Sequence, residues 1–317
     1  MYLYSVHPLE EENMTQISEI ILLGFGNLHG LQFLLFGVFL AIYVMTLMGN
    51  IVILIVVSAD DSLHTPMYFF LGHFSCLEIG YTTTIEPIML KTLLSAHVPI
   101  SFPACACQFY FFASLVATEC FLLAVMSYDR YIAICKPLYY FSVMDFWGCF
   151  QLAVASWMAG FLAPILLMAL IFHLTFCSAN KIDHFFCDLK PIIKLACTDT
   201  QLAEMTSFIC TSLFALGPFL LTLASYTYII STIWGIHSAT GKQRAFSTCS
   251  SHLTVVSLYY GTLGIVYGFP SGPQYEGVLK LLSLLYTVVT PALNPIIYTL
   301  RNNDVNIALR KLVQQGT

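Results

Sequence analysis

The sequence predicts an all-α membrane protein, a bundle of seven transmembrane helices followed by a short amphipathic C-terminal helix, and three observations lead to this fold class. Hydrophobic residues make up 58% of the 317 residues and charged residues only 9%, against about 25% charged in soluble domains. The mean hydropathy is +0.80, so the apolar side chains are too many for one aqueous core. Seven segments reach the length of about 20 mostly apolar residues that a membrane span needs.

Each predicted span is bounded by polar, proline or glycine residues that interrupt the apolar run. The spans cover 31–57, 66–92, 103–128, 148–172, 204–233, 247–269 and 279–300. After the last span, the stretch RNNDVNIALRKLV alternates polar and apolar residues at helical spacing. It offers one apolar side, formed by Val305, Ile307, Leu309 and Leu312. This pattern is typical of an amphipathic helix that lies on the inner leaflet.

The distribution of charges and cysteines predicts that the N-terminus is extracellular. In that orientation seven Lys and Arg residues are cytoplasmic and five are outside, which is a weak positive-inside bias. A glycosylation sequon starts at Asn13 in the acidic N-terminal tail, and three cysteines in the loop 176–201 suit an oxidising compartment. We expect no removable signal peptide. The expected layout is an extracellular tail over 1–30, the helix bundle over 31–300 and a cytoplasmic tail over 301–317.

The composition and the absence of several motifs argue against other classes of function. The formal charge is −5 and no basic run occurs, so nucleic-acid binding is not expected. The sequence contains no HExxH motif, no paired aspartates and no serine with a nearby histidine in a glycine-rich box, so an enzyme is not expected. Transporters and channels also use buried acids and kinked helices, but an odd number of spans without an internal repeat argues against them.

Carboxylates inside the predicted spans need a physical reason, because each costs roughly 2.5 to 3.5 kcal/mol at the bilayer centre. Glu78 and Glu119 lie near the middle of the second and third spans, and Asn50 and Asn294 are mid-span amides in the first and seventh. Pointing inward, these four groups could hold a cation or a proton. The alternative is ordinary hydrogen bonding between helices, worth about 0.6 kcal/mol on average. Glu86 lies nearer the outer surface, where a protonated or snorkelling side chain is the simpler interpretation.

Four cysteines lie where disulfides would form. Cys105 is at the outer end of the third span, and Cys177, Cys187 and Cys197 are in the following outer loop. Four cysteines allow three pairings, which the sequence does not rank. His184 and Cys187 could also be read as metal ligands, but two candidate ligands with a disulfide competing for the thiol do not predict a metal centre.

Two opposite charges, Asp129 and Arg130, end the otherwise apolar third span in the stretch MSYDRYIAICKPLYY. For a lone arginine in this place, anchoring at the lipid headgroups is the simpler interpretation. The motifs that surround this pair favour a functional role for the two charges instead.

Motifs in a fixed order connect the chain to a known family. The more general ones are GN at 49–50, DRY at 129–131, Trp157, Pro218 and NPIIY at 294–298. The more specific ones are LHTPMYFFL at 63–71, MSYDRYIAICKPLYY at 126–140, SY at 225–226, RAFSTCSSHL at 244–253 and PALNPIIYTLRN at 291–302. In this order and spacing the chain closely resembles an odorant receptor of the rhodopsin-like class of G protein-coupled receptors. It departs from that pattern at Ser127, where alanine is usual, and at Glu78, where rhodopsin-like receptors usually carry aspartate.

The resemblance implies a multi-pass protein of the plasma membrane that acts in the sense of smell. Its implied partners are membrane lipid, a small, volatile, weakly polar odorant that binds within the bundle, and the olfactory stimulatory G protein, which raises cAMP. No catalytic activity and no cofactor are implied, apart from a sodium ion or a proton at Asn50, Glu78, Glu119 and Asn294.

The resemblance also implies where the odorant binds. Apolar walls with a few hydroxyl groups suit such a ligand. The implied pocket residues are Phe109, Phe112, Ala113, Val116, Ala117, Cys210, Thr211, Phe214, Tyr260, Leu263, Gly264, Tyr267 and Thr287. Because Phe112 stands where amine receptors carry an aspartate, a charged amine is not the expected ligand. We expect Tyr260, Tyr267 or Thr211 to donate the hydrogen bond that orients a carbonyl or hydroxyl odorant.

Finally, the resemblance implies a switch and a pairing of cysteines. The switch residues are Asp129, Arg130, Tyr131, Tyr226, His252, Asn294, Pro295 and Tyr298. In this interpretation Asp129 holds Arg130 at rest, and separation of the third and sixth spans frees the guanidinium to meet the G protein. The implied disulfides join Cys105 to Cys187 and Cys177 to Cys197.

Overall fold

Seven long helices and a shorter C-terminal one make up most of the computed structural model, which describes residues 18–26, 30–176, 180–235, 238–268, 276–300 and 303–315. We number the helices in chain order. They are α1 (Gln32–Ala59), α2 (Pro66–Leu94), α3 (Phe102–Cys135), α4 (Phe146–Leu162 and Ile165–His173), α5 (Gln201–Thr211, Ser212–Leu216 and Gly217–Gly235), α6 (Ala239–Gly268), α7 (Glu276–Leu284, Leu285–Val289 and Thr290–Leu300) and α8 (Asn303–Gln315). The predicted all-α fold class is confirmed, and each predicted span overlaps one helix.

Two helices extend about two turns beyond the predicted membrane spans. The third helix continues to Cys135 instead of ending at 128, and the sixth begins at Ala239 instead of 247. Both extensions contain charged or polar residues, which ended the apolar run in the sequence. A helix satisfies its own backbone hydrogen bonds, so it can leave the apolar layer and continue into the polar one.

Within the described residues, five helices are apolar and long enough to cross a membrane by length and composition alone. These are α1, α3, α4, α5 and α7. Helices α2 and α6 are as long as the others, but α2 carries Glu78, Glu86 and Lys91 and the first half of α6 reads ATGKQRAFSTCSSH. Both nevertheless pack within the bundle, α2 between α1 and α3, and α6 against α3, α5 and α7.

Proline residues interrupt three of the helices. Helix α4 breaks at Pro164, and α5 widens into a π-helical turn over Ser212–Leu216 just before Pro218. Helix α7 does the same over Leu285–Val289, ahead of Pro291. Proline lacks the amide hydrogen that a helix interior uses, and a wider turn absorbs the mismatch.

A small three-stranded sheet, which was not predicted, covers the end of the bundle at which α3 begins. The sequence predicts this end to be extracellular, and we call it the outer end. Strand β1 (Glu19–Leu22) lies in the middle, antiparallel to β2 (Val98–Ser101) and parallel to β3 (Lys181–Ile182). The sheet therefore joins the N-terminal tail to the loop before α3 and to the loop after α4. Its strands come from three distant segments and are two to four residues long, which leaves little periodic signal in the sequence.

Helix α8 confirms the predicted C-terminal helix but corrects its apolar side. Val305 and Ala308 are buried, whereas Ile307 is 53% exposed. The reason is the helical repeat, since residues three apart share a face and residues two apart do not. The side chain of Leu312 lies outside the described residues. Lys311 Nζ lies 3.4 Å from Asp60 Oδ2 and connects α8 to the end of α1.

Candidate functional site

Buried polar side chains meet in the middle of the bundle. Glu78 is fully buried and accepts a hydrogen bond from Asn294 Nδ2, which joins α2 to α7. Glu119 of α3 is also buried and lies within electrostatic range of Glu78. Asn50 instead donates to the carbonyl oxygen of Thr46 in its own helix, at 3.0 Å. The structure thus brings together three of the four predicted groups on α2, α3 and α7.

Two oxygen atoms of this cluster are buried without a hydrogen-bond partner among the described residues. They are Glu78 Oε2 and Asn294 Oδ1. Carboxylate and amide oxygens are the ligands that hard cations prefer, so the donor set fits a sodium ion, and equally a proton on a carboxylate. No group of three or more His, Cys, Asp or Glu residues arranged to hold a metal ion occurs in the described part of the chain.

The position of Glu86 does not fit the interpretation of a snorkelling side chain. Its side chain is fully buried, and neither carboxylate oxygen has a hydrogen-bond partner in the described ranges. A side chain that reaches the lipid headgroups would be exposed. The protonated alternative, which avoids a buried charge, stays a prediction.

The C-terminal end of α3 carries the ion pair that the sequence predicts, at the end of the bundle that the sequence also predicts to be cytoplasmic and that we call the cytoplasmic end. Arg130 Nε donates to Asp129 Oδ2 at 2.9 Å, and Asp129 itself is fully buried. The Tyr140 hydroxyl donates to the second oxygen, Oδ1, also at 2.9 Å. Burial, followed by the charge of Asp129, raises the pKa of Tyr140, so this hydroxyl stays protonated and able to donate.

Tyr140 was not among the predicted switch residues. It lies in the short helix Tyr140–Val143 that follows α3, and it is the last letter of the motif MSYDRYIAICKPLYY. Both partners of this hydrogen bond therefore lie within the motif, because the chain turns after Lys136 and brings Tyr140 back to Asp129.

Four of the other switch residues lie between helices near the same end. The Tyr226 hydroxyl is 2.7 Å from His252 Nδ1 and joins α5 to α6. Tyr131 packs against Tyr228 of α5, with ring centroids 5.8 Å apart. Tyr298 of α7 packs against Phe74 of α2 at 5.9 Å. Arg130, Tyr226 and His252 are within electrostatic range of one another, so the structure gathers most of the predicted switch at one end of the bundle.

The predicted odorant pocket divides into buried and exposed members. Phe109, Phe112, Ala117, Leu263 and Thr287 are buried. Ala113, Val116, Cys210, Phe214 and Tyr260 are partly buried. Thr211 and Gly264 are exposed, and the side chain of Tyr267 lies outside the described residues. The set as a pocket stays a prediction.

Phe112 lies at the centre of an aromatic cluster. Its ring centroid is 5.0 Å from that of Phe186, 5.8 Å from that of Tyr81 and 6.3 Å from that of Tyr286. Phe186 belongs to the loop between β3 and α5, so this loop packs directly onto α3. An apolar, aromatic environment of this kind suits an uncharged ligand.

The outer loop is fastened over the bundle by several bonds. Cys105 of α3 and Cys187 form a disulfide with their Cα atoms 5.5 Å apart. Gln108 donates through Nε2 to the Thr84 carbonyl of α2 at 2.8 Å and accepts from the Cys187 amide at 3.0 Å. Cys197 is also disulfide-bonded, while its expected partner Cys177 and the sequon residue Asn13 lie outside the described residues.

The N-terminal tail, the three strands and the outer loop together form a layer over the bundle, which we call the roof. A lysine of α7 forms a further link to it. Lys280 Nζ donates to the Gly24 carbonyl at 2.7 Å and pairs with Asp183 beside β3. The neighbouring His184 packs on Phe185 and Phe186, and its burial lowers its pKa to about 3, with the charge of Lys280 acting in the same direction. Sequence reasoning missed Gln108 and Lys280 as positioning residues, and their only signal was a polar group at the outer end of a span.

Comparisons with known proteins identify relatives along nearly the whole chain. The sequence profile of a family described as "Olfactory receptor" matches residues 39–316. Human olfactory receptor 10A7 is 50% identical over 304 residues, which cover 96% of this chain and 96% of that protein. Human olfactory receptor 10R2 is 47% identical over 312 residues, covering 98% and 93%. Human olfactory receptor 10A5 is 51% identical over 300 residues, covering 94% and 95%.

Proposed function

Since the chain belongs to the olfactory receptor family, we propose that it binds a small, weakly polar odorant inside the helix bundle and activates a stimulatory heterotrimeric G protein, raising cAMP. It is a multi-pass membrane protein of a family of receptors and not an enzyme. In this proposal the N-terminal tail is extracellular, the C-terminal helix is cytoplasmic, and the protein acts in the plasma membrane.

The observation that carries the proposal is the bond network at Asp129. Its carboxylate accepts from both Arg130 and Tyr140, so the guanidinium has a partner in this resting arrangement and is not available to another protein. When α6 moves away from α3, the fork of donors on Arg130 can bind backbone carbonyls or a carboxylate of a G protein. The Tyr226–His252 bond between α5 and α6 is a second contact that such a movement would change.

The ligand chemistry follows from the other end of α3. Phe112 is buried among aromatic rings and lies under Phe186 of the outer loop, so this region offers apolar contact and no counter-charge for an amine. The hydroxyl of Tyr260 is buried without a hydrogen-bond partner among the described residues. In this proposal it donates to a carbonyl or hydroxyl group of an odorant, in place of its weak contact with the Cys120 thiol.

We include a sodium ion or a proton at the mid-membrane cluster in the proposal. Glu78 and Asn294 would hold it through the two oxygens that lack partners in the described ranges, with Glu119 near enough to share the charge. Replacing Glu78 by Gln should abolish any dependence of the odorant response on extracellular sodium, measured with choline as the substitute cation. A sodium dependence equal to that of the original chain would remove this part of the proposal.

The central test is a cAMP reporter assay in cells that supply the olfactory stimulatory G protein, screened with a chemically diverse odorant panel. An odorant that raises cAMP in the original chain should fail to do so in Arg130→Ala, because the group that meets the G protein is lost. Surface labelling of an N-terminal tag in intact cells checks both delivery and the extracellular tail. An undiminished response of Arg130→Ala would overturn the switch.

A further inference from the structure

A cavity of about 330 Å³ lies between α5 and α6 and shares only Tyr260 with the predicted odorant pocket. The apolar part of its lining is formed by Phe219, Leu223, Leu253 and Val256. Leu223 on one wall is 52% exposed, and Ser257 and Gly261 on the other wall are exposed as well. The cavity therefore opens sideways between α5 and α6, on the surface of the bundle that faces lipid in a bilayer.

Two hydroxyl oxygens in the lining are buried without a hydrogen-bond partner among the described residues, those of Thr222 and Tyr260. Thr222 as a whole is only 2% exposed. Other hydroxyls on these helices donate to the carbonyl four residues earlier, as Thr227 does to Leu223 at 2.8 Å. Thr222 makes no such bond within the described ranges, so a molecule that reaches this hydroxyl from the cavity would find both a donor and an acceptor.

Tyr260 presents the second hydroxyl from α6. Its ring packs on Phe219 of α5, with centroids 4.8 Å apart. The nearby thiol of Cys120 is a weak hydrogen-bonding group and is already engaged with the Tyr259 hydroxyl at 3.3 Å. In hydrocarbon no water replaces a missing partner, so a ligand with a hydroxyl or carbonyl group would gain bonds that the protein alone does not make.

We propose that this cavity binds a small, uncharged alcohol or ketone dissolved in the membrane and that the bound molecule stabilises the resting receptor. The volume lies at the lower end of small-molecule sites, about 300 to 1,000 Å³, which suits a single small ligand. The lining contains no charged side chain, so an ion is not a candidate. The lipid-facing opening gives the ligand access from the bilayer without passing the roof.

The effect on signalling follows from which conformation contains the cavity. Tyr226 is part of the lining, and its hydroxyl is bonded to His252 across α5 and α6. In the same structure Arg130 is held by Asp129. A ligand shifts an equilibrium toward the state that it binds better, so an occupant should oppose separation of α6 and lower receptor output. This second half of the proposal rests on the proposed function, whereas binding itself does not.

Binding is tested by photolabelling the full chain in lipid nanodiscs with an octanol analogue that carries a diazirine, followed by peptide mass spectrometry. Label is expected around Thr222 on α5 and around Ser257 and Gly261 on α6, and excess unlabelled octanol should compete for it. A Cβ added at Gly261 meets open space, so Gly261→Leu should fill the cavity and abolish this label. Thr222→Val should reduce it by about 2- to 10-fold, the usual contribution of one hydrogen bond.

Two matched variants control for changes in the helices themselves. Thr227→Val makes the same substitution as Thr222→Val, also on α5, but at an exposed position that does not line the cavity. Gly217→Leu makes the same substitution as Gly261→Leu, but on α5, where an added Cβ also meets open space and the cavity is not lined. Both should label like the original chain. Label that persists in Gly261→Leu and Thr222→Val, or that spreads equally over the lipid-facing surfaces of α1 and α4, would overturn the site.

The effect on output is measured as basal cAMP in cells that supply the stimulatory G protein. Octanol should lower the basal signal of the original chain and leave that of Gly261→Leu unchanged. A fall of equal size in both would refute the regulatory role and leave a general membrane effect. Specific photolabelling in a chain that gives no cAMP signal with any odorant would count against the proposed function and not against the site.

Discussion

The outer and cytoplasmic ends of the bundle are held together in different ways. At the outer end a disulfide, the backbone pairing of three strands and the two bonds of Gln108 link the tail and loops to α2 and α3. At the cytoplasmic end the links described above are side-chain contacts, those of Asp129 with Arg130 and Tyr140 and that of Tyr226 with His252.

This difference matches the two tasks that the proposed function assigns to the two ends. Disulfides rearrange in minutes to hours without a catalyst, whereas helix movements and side-chain exchange take milliseconds or less. The outer end is therefore suited to keep a binding pocket in one shape. The cytoplasmic end is suited to change shape when the ligand alters the balance between two conformations.

Removing the disulfide should have the largest effect on the outer end. Cys105 and Cys187 are separated by 82 residues, and closing a loop of this length is worth on the order of 4 kcal/mol through the unfolded chain. We expect Cys105→Ser to lose nearly all surface expression, measured by flow cytometry of an N-terminal tag.

Cys107→Ser is the matched control, because Cys107 is a free and exposed cysteine on the same helix. It should reach the surface normally. Equal surface levels of the two variants would mean that the strands and Gln108 hold the outer end without the covalent bond.

The largest effect at the cytoplasmic end is expected from Asp129→Asn. The amide keeps the shape of the side chain but removes the charge that holds Arg130, and breaking a buried ion pair typically costs about 3 to 5 kcal/mol. The resting arrangement should lose stability relative to the active one. Basal cAMP without odorant should rise several-fold at equal surface expression.

Tyr140→Phe provides a graded version of this change. It removes one hydrogen bond to Asp129 Oδ1 and keeps the bonds of Arg130, so its basal cAMP should lie between those of the original chain and Asp129→Asn. Asp61→Asn changes a fully exposed acid that lies 3.6 Å from His64 Nδ1, and it should leave basal cAMP unaltered. If Asp129→Asn stayed as quiet as Asp61→Asn, the ion pair would not restrain the resting state.

A pH effect is expected at the outer end of the bundle. Burial lowers the pKa of His184 to about 3, while an opened loop would return it toward 6.5. The open form therefore binds a proton more readily. The roof keeps its full stability above about pH 6.5 and loses it progressively as the pH falls toward 3, by about 2 kcal/mol at pH 5.

Hydrogen exchange of the loop around β3 measures this effect. After correction for intrinsic exchange rates, the amides of residues 181–189 should exchange faster as the pH falls from about 7 to about 5. His184→Phe keeps an aromatic ring beside Phe185 and Phe186 and removes the titrating group, so its exchange should not change over that range. The same acceleration in His184→Phe would assign the pH dependence to another group.

The sequence predicted the helices better than the connections between them. Apolar runs identify α1, α3 and α4 because lipid requires them, and mid-span polarity identified Glu78 and Asn294, which do bond to each other. The sheet could not be predicted, since its strands pair across loops and carry no local pattern. Asn50 was grouped with Glu78 on position alone, but its amide is satisfied one turn away at Thr46, a choice that spacing does not reveal.

The smallest effect is expected from Lys280→Met, and it separates two contributions to the roof. Lys280 pairs with Asp183, whose side chain is 56% exposed, and pairs of this kind are worth about 0 to 1 kcal/mol. The melting temperature should therefore change little. The charge of Lys280 also lowers the pKa of His184, so its removal should raise that pKa and narrow the pH range over which exchange accelerates. Lys91→Met, an equal charge change at an exposed position on α2, should leave the range as it is. If both variants kept the original pH profile, burial alone would hold His184 neutral, and Lys280 would act only as a tether between α7 and the tail.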